Sequence, residues 1–244
     1  MNAEFRLILD PPRSAVLNMA IDEILMERQL CPDPVPTLRF YSWDRPAYSI
    51  GYFQNINKTV SHLGIAKSGI PVVRRITGGG LVFHGNDLAF SLTVKGDNPF
   101  FLGAVKNSYL NVHEAVRGGL RPLYPKIDYA DCRHIPSGRG KENRVCFEAP
   151  SCYDLLLDGK KIAGASQRRR GGAILHQSAI FLPAARQTLI RHIIKGFKEN
   201  WKVGFIEKPL SQAEFLDARR KEKARAAAGD WVYAAEDLER SFFS

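Results

Sequence analysis

The residues best suited to chemistry surround a run of three glycines. The stretch "RRITGGGLVFH" places Arg75 and Thr77 before the run and His84 after it. The glycines themselves are Gly78, Gly79 and Gly80. Glycine reaches positive φ without a Cβ clash, and a bare backbone also lets a ligand approach N–H groups that bind a carboxylate, an acyl carbonyl or a phosphate. Two interpretations stay open: a purely conformational turn, and a loop that holds a ligand beside arginine.

Nucleotide and metal motifs are missing around these residues. The run fits neither the GxGxxG fingerprint nor the P-loop pattern that ends in Gly-Lys-Ser/Thr. The cysteines lack CxxC spacing and no HxxxH pair occurs, so we predict no bound metal. They are also too few for a disulfide scaffold, and they are Cys31, Cys132, Cys146 and Cys152. His84 and His176 are candidate general bases, although neither has a carboxylate neighbour that the sequence identifies.

Hydrophobic periodicity predicts the elements that must position these residues. Helical spacing indicates helices in "SAVLNMAIDEILMERQL", over residues 102–116 and 185–199, and from Ser211 onward. Strands are predicted in "PVVRR", "LVFH" and "LAFSLTV". One predicted hairpin joins "TLRFYSW" to "AYSIGYF", and another turns at Asp158 and Gly159. Hairpins mixed with separated helices predict an α+β fold in which helices flank a largely antiparallel or mixed sheet.

Length, composition and charge bound the class of protein. The chain has 244 residues, 45% of them hydrophobic, and no long polar linker, so we predict a single domain over residues 1–244 with a helical segment from about 185. No apolar run approaches the roughly 20 residues that span a bilayer and the N-terminus lacks a signal pattern, so we expect a cytoplasmic protein without membrane contact. The net charge of +10 favours acidic partners. Nucleic acid is not expected among them, because the basic runs "RRR" and "ARRKEKARA" contain no aromatic residues for base stacking.

Three ordered motifs carry a resemblance to a known family. The stretches "RFYSWDRPAYSIGYFQN", "VVRRITGGGLVFH" and "KIAGASQRRRGGAILHQSAIFL" together resemble the lipoate–protein ligase and octanoyltransferase superfamily, which is related in fold to the biotin–protein ligases. The resemblance runs from about Phe5 to Leu182 and implies a class II biotin/lipoate ligase-like catalytic domain. It also implies an elongated apolar pocket for octanoate or lipoate. The implied substrate contacts are Arg75, Thr77, Gly78, Gly79, Gly80, His84, Gly164 and His176.

Lys161 matches the lysine of the K(I/L)xG motif in this family. An ammonium beside the acyl carbonyl stabilises the oxyanion that develops on attack, so the resemblance implies a catalytic role for it. The neighbouring Lys160 is expected to point to the opposite face of the strand.

A further segment, "VCFEAPSCYDLLLDGKK", resembles the cysteine-dependent octanoyltransferases of the Gram-positive type, which carry CFxAPSxY before the lysine-bearing hairpin. Cys146 falls on their nucleophile, and we interpret Cys152 as a packing residue. A thiolate attacks a thioester and forms another thioester, which an acceptor lysine then opens. The resemblance thus implies octanoyl transfer, in lipoate biosynthesis, from octanoyl acyl carrier protein to lipoyl domains of the glycine cleavage H protein or of 2-oxoacid dehydrogenase E2. No cofactor is needed for this reaction.

The alternative within the family is an ATP-dependent lipoate–protein ligase that acts through lipoyl-AMP and uses ATP and Mg²⁺. The sequence "TGGG" favours it, because the transferases often place arginine at the position of Gly80. The segment "HGNDLAFS" lacks the aspartate that commonly follows the histidine, although its spacing to Ser91 fits the transferases. The segment after Leu182 is shorter than in relatives of both classes, and in ligases this segment helps to cover the adenylate, so its shortness disfavours a ligase. A ligase with its accessory domain on a separate chain stays compatible with the sequence. A non-catalytic acyl-binding protein is a third possibility, and Cys146 argues against it.

Residues 126–144 are charged and have no sustained periodicity, which predicts an exposed, mobile loop. We expect its basic residues to dock acidic carrier domains. They are Lys126, Arg133, Arg139, Lys141 and Arg144.

Overall fold

The computed structural model describes residues 3–56, 59, 65–134, 150–228 and 231–233. The long helices are α1 (Ala15–Arg28), α2 (Val105–Leu120), α3 (Arg186–Trp201) and α4 (Gln212–Ala227). The strands are β1 (Glu4–Leu9), β2 (Thr37–Tyr41), β3 (Ala47–Ile50), β4 (Val72–Arg74), β5 (Val82–His84), β6 (Leu88–Lys95), β7 (Ile127–Tyr129), β8 (Leu155–Leu157), β9 (Lys160–Arg170), β10 (Ala173–Ile180), β11 (Gly204–Glu207) and β12 (Val232–Tyr233). No helix within these ranges is long and apolar enough to cross a membrane.

Most strands join one large sheet, in the order β11-β1-β2-β6-β10-β9-β8-β7. Strands β11, β1 and β2 run parallel to one another, and all the other neighbouring strands of this sheet pair antiparallel. The remaining strands form a small sheet in the order β12-β4-β3-β5. This architecture confirms the predicted α+β fold with a mixed sheet and flanking helices.

The two faces of the large sheet pack against different helices. On one face, α2 and α3 cover the main apolar cluster, in which Phe90 and Leu92 of β6 are fully buried. Burying one such side chain contributes roughly 1.5–3 kcal/mol. On the other face, α1 lies between the sheet, β4 of the small sheet and α4. We call these the α2/α3 face and the α1 face. The functional residues described below lie mainly on the α1 face.

Local capping explains where two of these helices begin. The hydroxyl of Ser14 accepts a hydrogen bond from the backbone N–H of Leu17 at the start of α1. Ser211 and Glu214 form a reciprocal capping box at the start of α4. Such caps satisfy backbone donors that a helix start leaves without partners. The helices predicted over 102–116, over 185–199 and from Ser211 are present as α2, α3 and α4.

One predicted hairpin is confirmed and the other is wrong. Strands β8 and β9 are joined by a turn at Asp158 and Gly159, which have φ values of 48° and 76°. The predicted pairing of β2 with β3 does not occur, because β2 pairs with β1 and β6 whereas β3 belongs to the small sheet. All five residues of β2 are buried, as a central strand requires, and the chain changes sheets just after it. A two-stranded hairpin would have left one edge of β2 open.

The predicted loop over 126–144 is only partly described. Its first residues form β7 and a short 3-10 turn over Cys132–His134, so this part has regular structure that the sequence analysis missed. Residues 135–144 lie outside the described ranges. Lys126 and Arg133 are exposed and pair with Asp158 and Asp131 respectively.

Candidate active site

A narrow cavity lies where α1, the large sheet and the small sheet meet. Its volume is about 40 Å³, and its wall is largely apolar. Met19 of α1, Tyr41 of β2 and Trp43 supply much of that wall. The sequence-predicted residues that also line it are Arg75, His84 and Gly164. The cavity therefore brings together residues from all three ordered motifs.

The glycine loop is fixed beside this cavity by Arg75. Its guanidinium Nη2 donates to the carbonyl oxygens of Gly78 (2.7 Å) and Gly80 (2.8 Å). Its Nη1 donates to the backbone oxygen and to the hydroxyl of Ser49, both at 3.0 Å. Gly79 has a φ of 90°, a value that favours glycine, so the loop is both conformationally demanding and tightly held. Arg75 acts here as a clamp on the loop, and no contact with a substrate is needed to explain it.

A chain of buried polar side chains ties the glycine loop to α1. The hydroxyl of Ser166 donates to that of Thr77 (2.8 Å), and the Thr77 hydroxyl donates to Oε1 of Gln177 (2.7 Å). The amide Nε2 of Gln177 then donates to Oδ2 of Asp22 (2.8 Å). Arg39, fully buried, donates to Oδ1 of the same carboxylate (2.7 Å). Thr77 thus positions the loop from within.

Lys161 lies beside Gly164, which is one of the residues that line the cavity. Its Nζ is 2.7 Å from Oδ2 of Asp154, and the two side chains are only 3% and 5% exposed. A Cβ on Gly164 would lie 2.7 Å from Cε and 2.9 Å from Nζ of Lys161, so a side chain at residue 164 would displace the end of the lysine from this position. Lys160 is exposed, as the alternation of a strand predicts. Asp154 was missed, although the turn at 158–159 places it across the hairpin from Gly164.

His84 is held between a carboxylate and a hydroxyl. Its Nδ1 lies 2.7 Å from Oδ2 of Asp87, and its Nε2 lies 2.8 Å from Oγ of Ser49. The imidazole also stacks on Trp43 with ring centroids 4.0 Å apart. The sequence analysis identified no carboxylate partner for this histidine. The stretch "HGND" could have indicated this partner, because a turn there brings Asp87, three residues on, back to His84.

His176 is not brought to the cavity. It lies on the α2/α3 face, with its ring centroid 6.2 Å from those of Phe90 and His113. Its Nδ1 is 3.0 Å from Nε2 of Gln167, and burial holds the pKa of His176 well below its ordinary value. The predicted substrate contact at this residue is therefore not supported by its position. The neighbouring Gln177 faces the cavity instead, because successive residues of a strand point to opposite faces.

The cysteines divide into three situations. Cys146 lies outside the described residues, so its proximity to Lys161 stays a prediction. Cys132 and Cys152 form a disulfide with a Cα–Cα distance of 4.6 Å, which corrects the interpretation of Cys152 as a simple packing residue. Cys31 is free and exposed. Of the predicted docking residues, Arg139, Lys141 and Arg144 also lie outside the described ranges.

Comparisons with known proteins agree with this architecture. Residues 14–217 match the lipoyl protein ligase A/B catalytic domain family. The chain is 32% identical to octanoyltransferase LipM of Moorella thermoacetica, over 88% of this chain and 92% of that protein. It is 31% identical to octanoyltransferase LipM of Bacillus subtilis, over 88% of this chain and 80% of that protein. It also resembles a crystal structure of lipoate-protein ligase A bound with ATP, with a TM-score of 0.76, 25% identity and coverage of 96% of this chain and 99% of that one.

Proposed function

Because the chain belongs to the lipoyl protein ligase A/B catalytic domain family, we propose that it is an octanoyltransferase of lipoate biosynthesis. The relatives named octanoyltransferase LipM align over most of the chain and support this choice of reaction. The structural observation that carries the proposal is the position of the Lys161 ammonium beside Gly164, a residue that lines the same cavity as Arg75, the arginine that holds the glycine loop. A fixed cation at an apolar cavity suits a reaction that develops negative charge on an acyl oxygen.

The reaction proceeds in two acyl transfers. The thiolate of Cys146 attacks the carbonyl carbon of the octanoyl thioester, and the thiol of the donor protein leaves. A lipoyl-domain lysine then attacks the new thioester as an amine, and the octanoyl group becomes an amide. Cys146 enters this scheme through its match to the CFxAPSxY segment of the cysteine-dependent octanoyltransferases.

Lys161 supplies the oxyanion donor in both steps. Asp154 holds the ammonium through a 2.7 Å contact, and Oδ2 of Asp154 also accepts the backbone N–H of Ser151 at 2.6 Å. The donor therefore needs little reorganisation when charge develops. Because both side chains are nearly inaccessible to water, the interaction with a developing oxyanion is screened less than at the surface. Backbone N–H groups of the glycine loop add further donors in this scheme.

The proposed partners are acidic proteins. Octanoyl acyl carrier protein serves as donor, and lipoyl domains of the glycine cleavage H protein or of 2-oxoacid dehydrogenase E2 serve as acceptors. The net charge of +10 would speed their encounter through long-range attraction. Added salt should then slow transfer by weakening this encounter.

An ATP-dependent lipoate–protein ligase is the second candidate. Gly80, where the transferases often carry arginine, favours it, and so does the similarity to a ligase crystallised with ATP. Such an enzyme would use ATP and Mg²⁺ to make lipoyl-AMP. The relatives named as octanoyltransferases weigh against this alternative.

Intact-mass analysis separates the two candidates. The protein is mixed with octanoyl acyl carrier protein without ATP, and an octanoyl adduct is expected on the wild type. Cys146→Ser should abolish the adduct, whereas Cys31→Ser, which removes an exposed free thiol, should keep it. Cys152→Ser should also keep it. Robust ATP-dependent lipoylation by Cys146→Ser would instead establish the ligase.

A further inference from the structure

Strands β9 and β10 line the cavity with two successive pairs of residues on the α1 face. Gly164 pairs with Ala179, and two positions farther from Lys161 along β9, Ser166 pairs with Gln177. All four residues of these pairs line the cavity. Positions two residues apart on a strand are separated by roughly 7 Å. The second pair therefore lies about that far from the glycine beside which the Lys161 ammonium is held.

A second cavity, of about 380 Å³, lies farther along the same two strands. Arg168 of β9 and Ala173 of β10 supply part of its wall, and Met26 of α1 lies over it. Both strand residues have the same parity as the residues that line the first cavity, so they face α1 as well. The two cavities thus follow each other along β9 and β10, and the pair of Ser166 and Gln177 stands between them.

The side chain of Gln177 is fixed at both ends of its amide. Oε1 accepts the hydroxyl of Thr77 on the glycine loop at 2.7 Å, and Nε2 donates to Oδ2 of Asp22 on α1 at 2.8 Å. Thr77 and Asp22 are both fully buried. Sδ of Met19, which lines the first cavity, lies 3.5 Å from the same Nε2. The amide is therefore a rigid bridge between the glycine loop and α1.

An apolar chain in the first cavity meets this bridge when it extends along the strands. Passing it would displace the amide and would take one hydrogen-bond partner from the buried Thr77 hydroxyl and one from the Asp22 carboxylate. A methylene group replaces neither of them, and lost partners of buried polar groups are costly. Methylenes that stop short of the bridge contact Ala179 and Met19, where burial of apolar surface is favourable.

We propose that Gln177 is the end wall of the acyl-chain site and limits the bound chain to about the length of an octanoyl group. The carbonyl end of the chain lies towards the Lys161 ammonium, and its methyl end faces the Gln177 amide. Gln177 is then the residue that determines specificity for chain length, and Thr77 and Asp22 position its amide. This inference rests on the proposed function, which identifies the ligand as an acyl chain.

A purely structural role for Gln177 makes a different prediction. The same hydrogen bonds would then only tie the glycine loop to α1, and their loss would weaken the binding of every chain length by the same factor. Loss of an end wall changes the relative affinities of short and long chains. The ratio of the affinities for decanoate and octanoate separates these roles, because partial unfolding lowers the number of binding sites and leaves that ratio unchanged.

The experiment measures the affinities of hexanoate, octanoate and decanoate by isothermal titration calorimetry. For the wild type, affinity should rise about fourfold with each methylene up to octanoate, the factor expected for burial of one methylene. Decanoate should then bind about 10-fold more weakly than octanoate, or weaker still, because its added methylenes do not fit. In Gln177→Ala the rise should continue to decanoate, because the second cavity becomes accessible.

Two further variants complete the comparison. Gln167→Ala makes the same change on the opposite face of the sheet, where Gln167 contacts Ser108 and His176, and should keep the wild-type profile. Thr77→Val removes one anchor of the Gln177 amide at nearly constant side-chain volume. It should shift the ratio of decanoate to octanoate affinity in the same direction as Gln177→Ala, by a smaller factor. If Gln177→Ala does not fold, Thr77→Val tests the proposal.

A wild-type affinity that keeps rising to decanoate, or the wild-type profile in Gln177→Ala, would overturn the end wall. The series is repeated as transfer to a lipoyl domain from acyl carrier protein loaded with each chain, and this series decides the matter if no free acid binds. If the acids bind with the expected limit but no octanoyl group is transferred, the proposed function fails and the end wall stands. If octanoyl transfer occurs and Gln177→Ala keeps the limit, the end wall fails and the proposed function stands. If the wild type neither binds nor transfers any chain, both are wrong.

Discussion

Each face of the large sheet buries a histidine, and the side chains that contact the two histidines differ in kind. On the α1 face, His84 contacts a carboxylate, a hydroxyl and an indole ring at the cavity wall. On the α2/α3 face, His176 is surrounded by aromatic rings and contacts the amide of Gln167. Both are at most 5% exposed, so burial does not distinguish them. The difference lies in whether the partners can orient the ring and stabilise a charge on it.

The same contrast extends across the two faces. On the α1 face, burial alone would lower the pKa of Arg39, but Asp22 and Asp10 outweigh it and raise that pKa above its ordinary value. A buried charge there has charged partners. On the α2/α3 face, burial lowers the pKa of both His113 and His176, so both are neutral near pH 7. Within the described residues, Nε2 of each lacks a hydrogen-bond partner.

The largest expected effect is on the α1 face, at Lys161. Lys161→Met should lower kcat/KM for octanoyl transfer by about 10²–10³-fold, because it removes the proposed oxyanion donor. Lys160→Met changes the exposed neighbour on the same strand and serves as the control. The rates are measured on protein shown by circular dichroism to be folded, since the substitution also leaves the Asp154 carboxylate without its ammonium partner. Equal activity of the two variants would contradict a role for Lys161.

On the α2/α3 face the expected effect is on stability. His176→Ala should lower the free energy of unfolding by about 3 kcal/mol, because it leaves a cavity among packed rings. Urea denaturation measures this loss. Transfer activity per folded molecule should stay the same, since His176 does not reach the cavity. A loss of transfer activity with unchanged stability would instead support the predicted substrate contact at His176.

The pH dependence of stability should come in part from the two buried histidines of the α2/α3 face. When the folded-state pKa of a histidine lies below its ordinary value of 6.5, the unfolded chain binds the proton first as pH falls. His113 and His176 therefore destabilise the fold progressively below pH 6.5, by up to about 1.4 kcal/mol per pH unit for each histidine. Urea midpoints between pH 7 and 5 test this, and His176→Phe should flatten the slope. If the pH dependence of the urea midpoint is the same in His176→Phe, His176 is not a source of the acid sensitivity.

The smallest expected effect is a loss of stability at the start of α4, on the α1 face, with no change in transfer activity. Ser211→Ala removes the side-chain cap of α4 and should cost about 1 kcal/mol in the free energy of unfolding. Transfer rates should not change, because α4 packs on α1 away from the cavity lining. Thermal unfolding together with a transfer assay would check both statements. A fall in transfer rate in the folded variant would show that α4 affects the site.

Sequence patterns were sufficient where the structure is local. The helices and the hairpin at Asp158 and Gly159 follow from periodicity and turn residues a few positions apart. The parallel strands β1 and β11 were missed, because the register of Glu4 with Gly204 joins distant parts of the chain. The predicted hairpin of β2 and β3 was wrong for the same reason, because each strand pairs with strands from other parts of the chain.

The candidate site was predictable in its motifs but not in its contacts. The resemblance identified Lys161, Gly164 and His84, and each lies at or beside the cavity. Their carboxylate partners, Asp154 and Asp87, were not identified, because an aspartate near a turn looks the same whether it faces solvent or a buried cation. His176 was included because its motif matched, and the motif does not say which face of β10 the residue occupies.

The central claim is that the chain transfers an activated octanoyl group rather than activating a free acid. The most direct measurement is the mass of a purified lipoyl domain after incubation with the protein and octanoyl acyl carrier protein, with ATP removed enzymatically. The account predicts full octanoylation under these conditions and none from free octanoate without ATP. A lipoyl domain that stays unmodified until free acid and ATP are supplied together would contradict it.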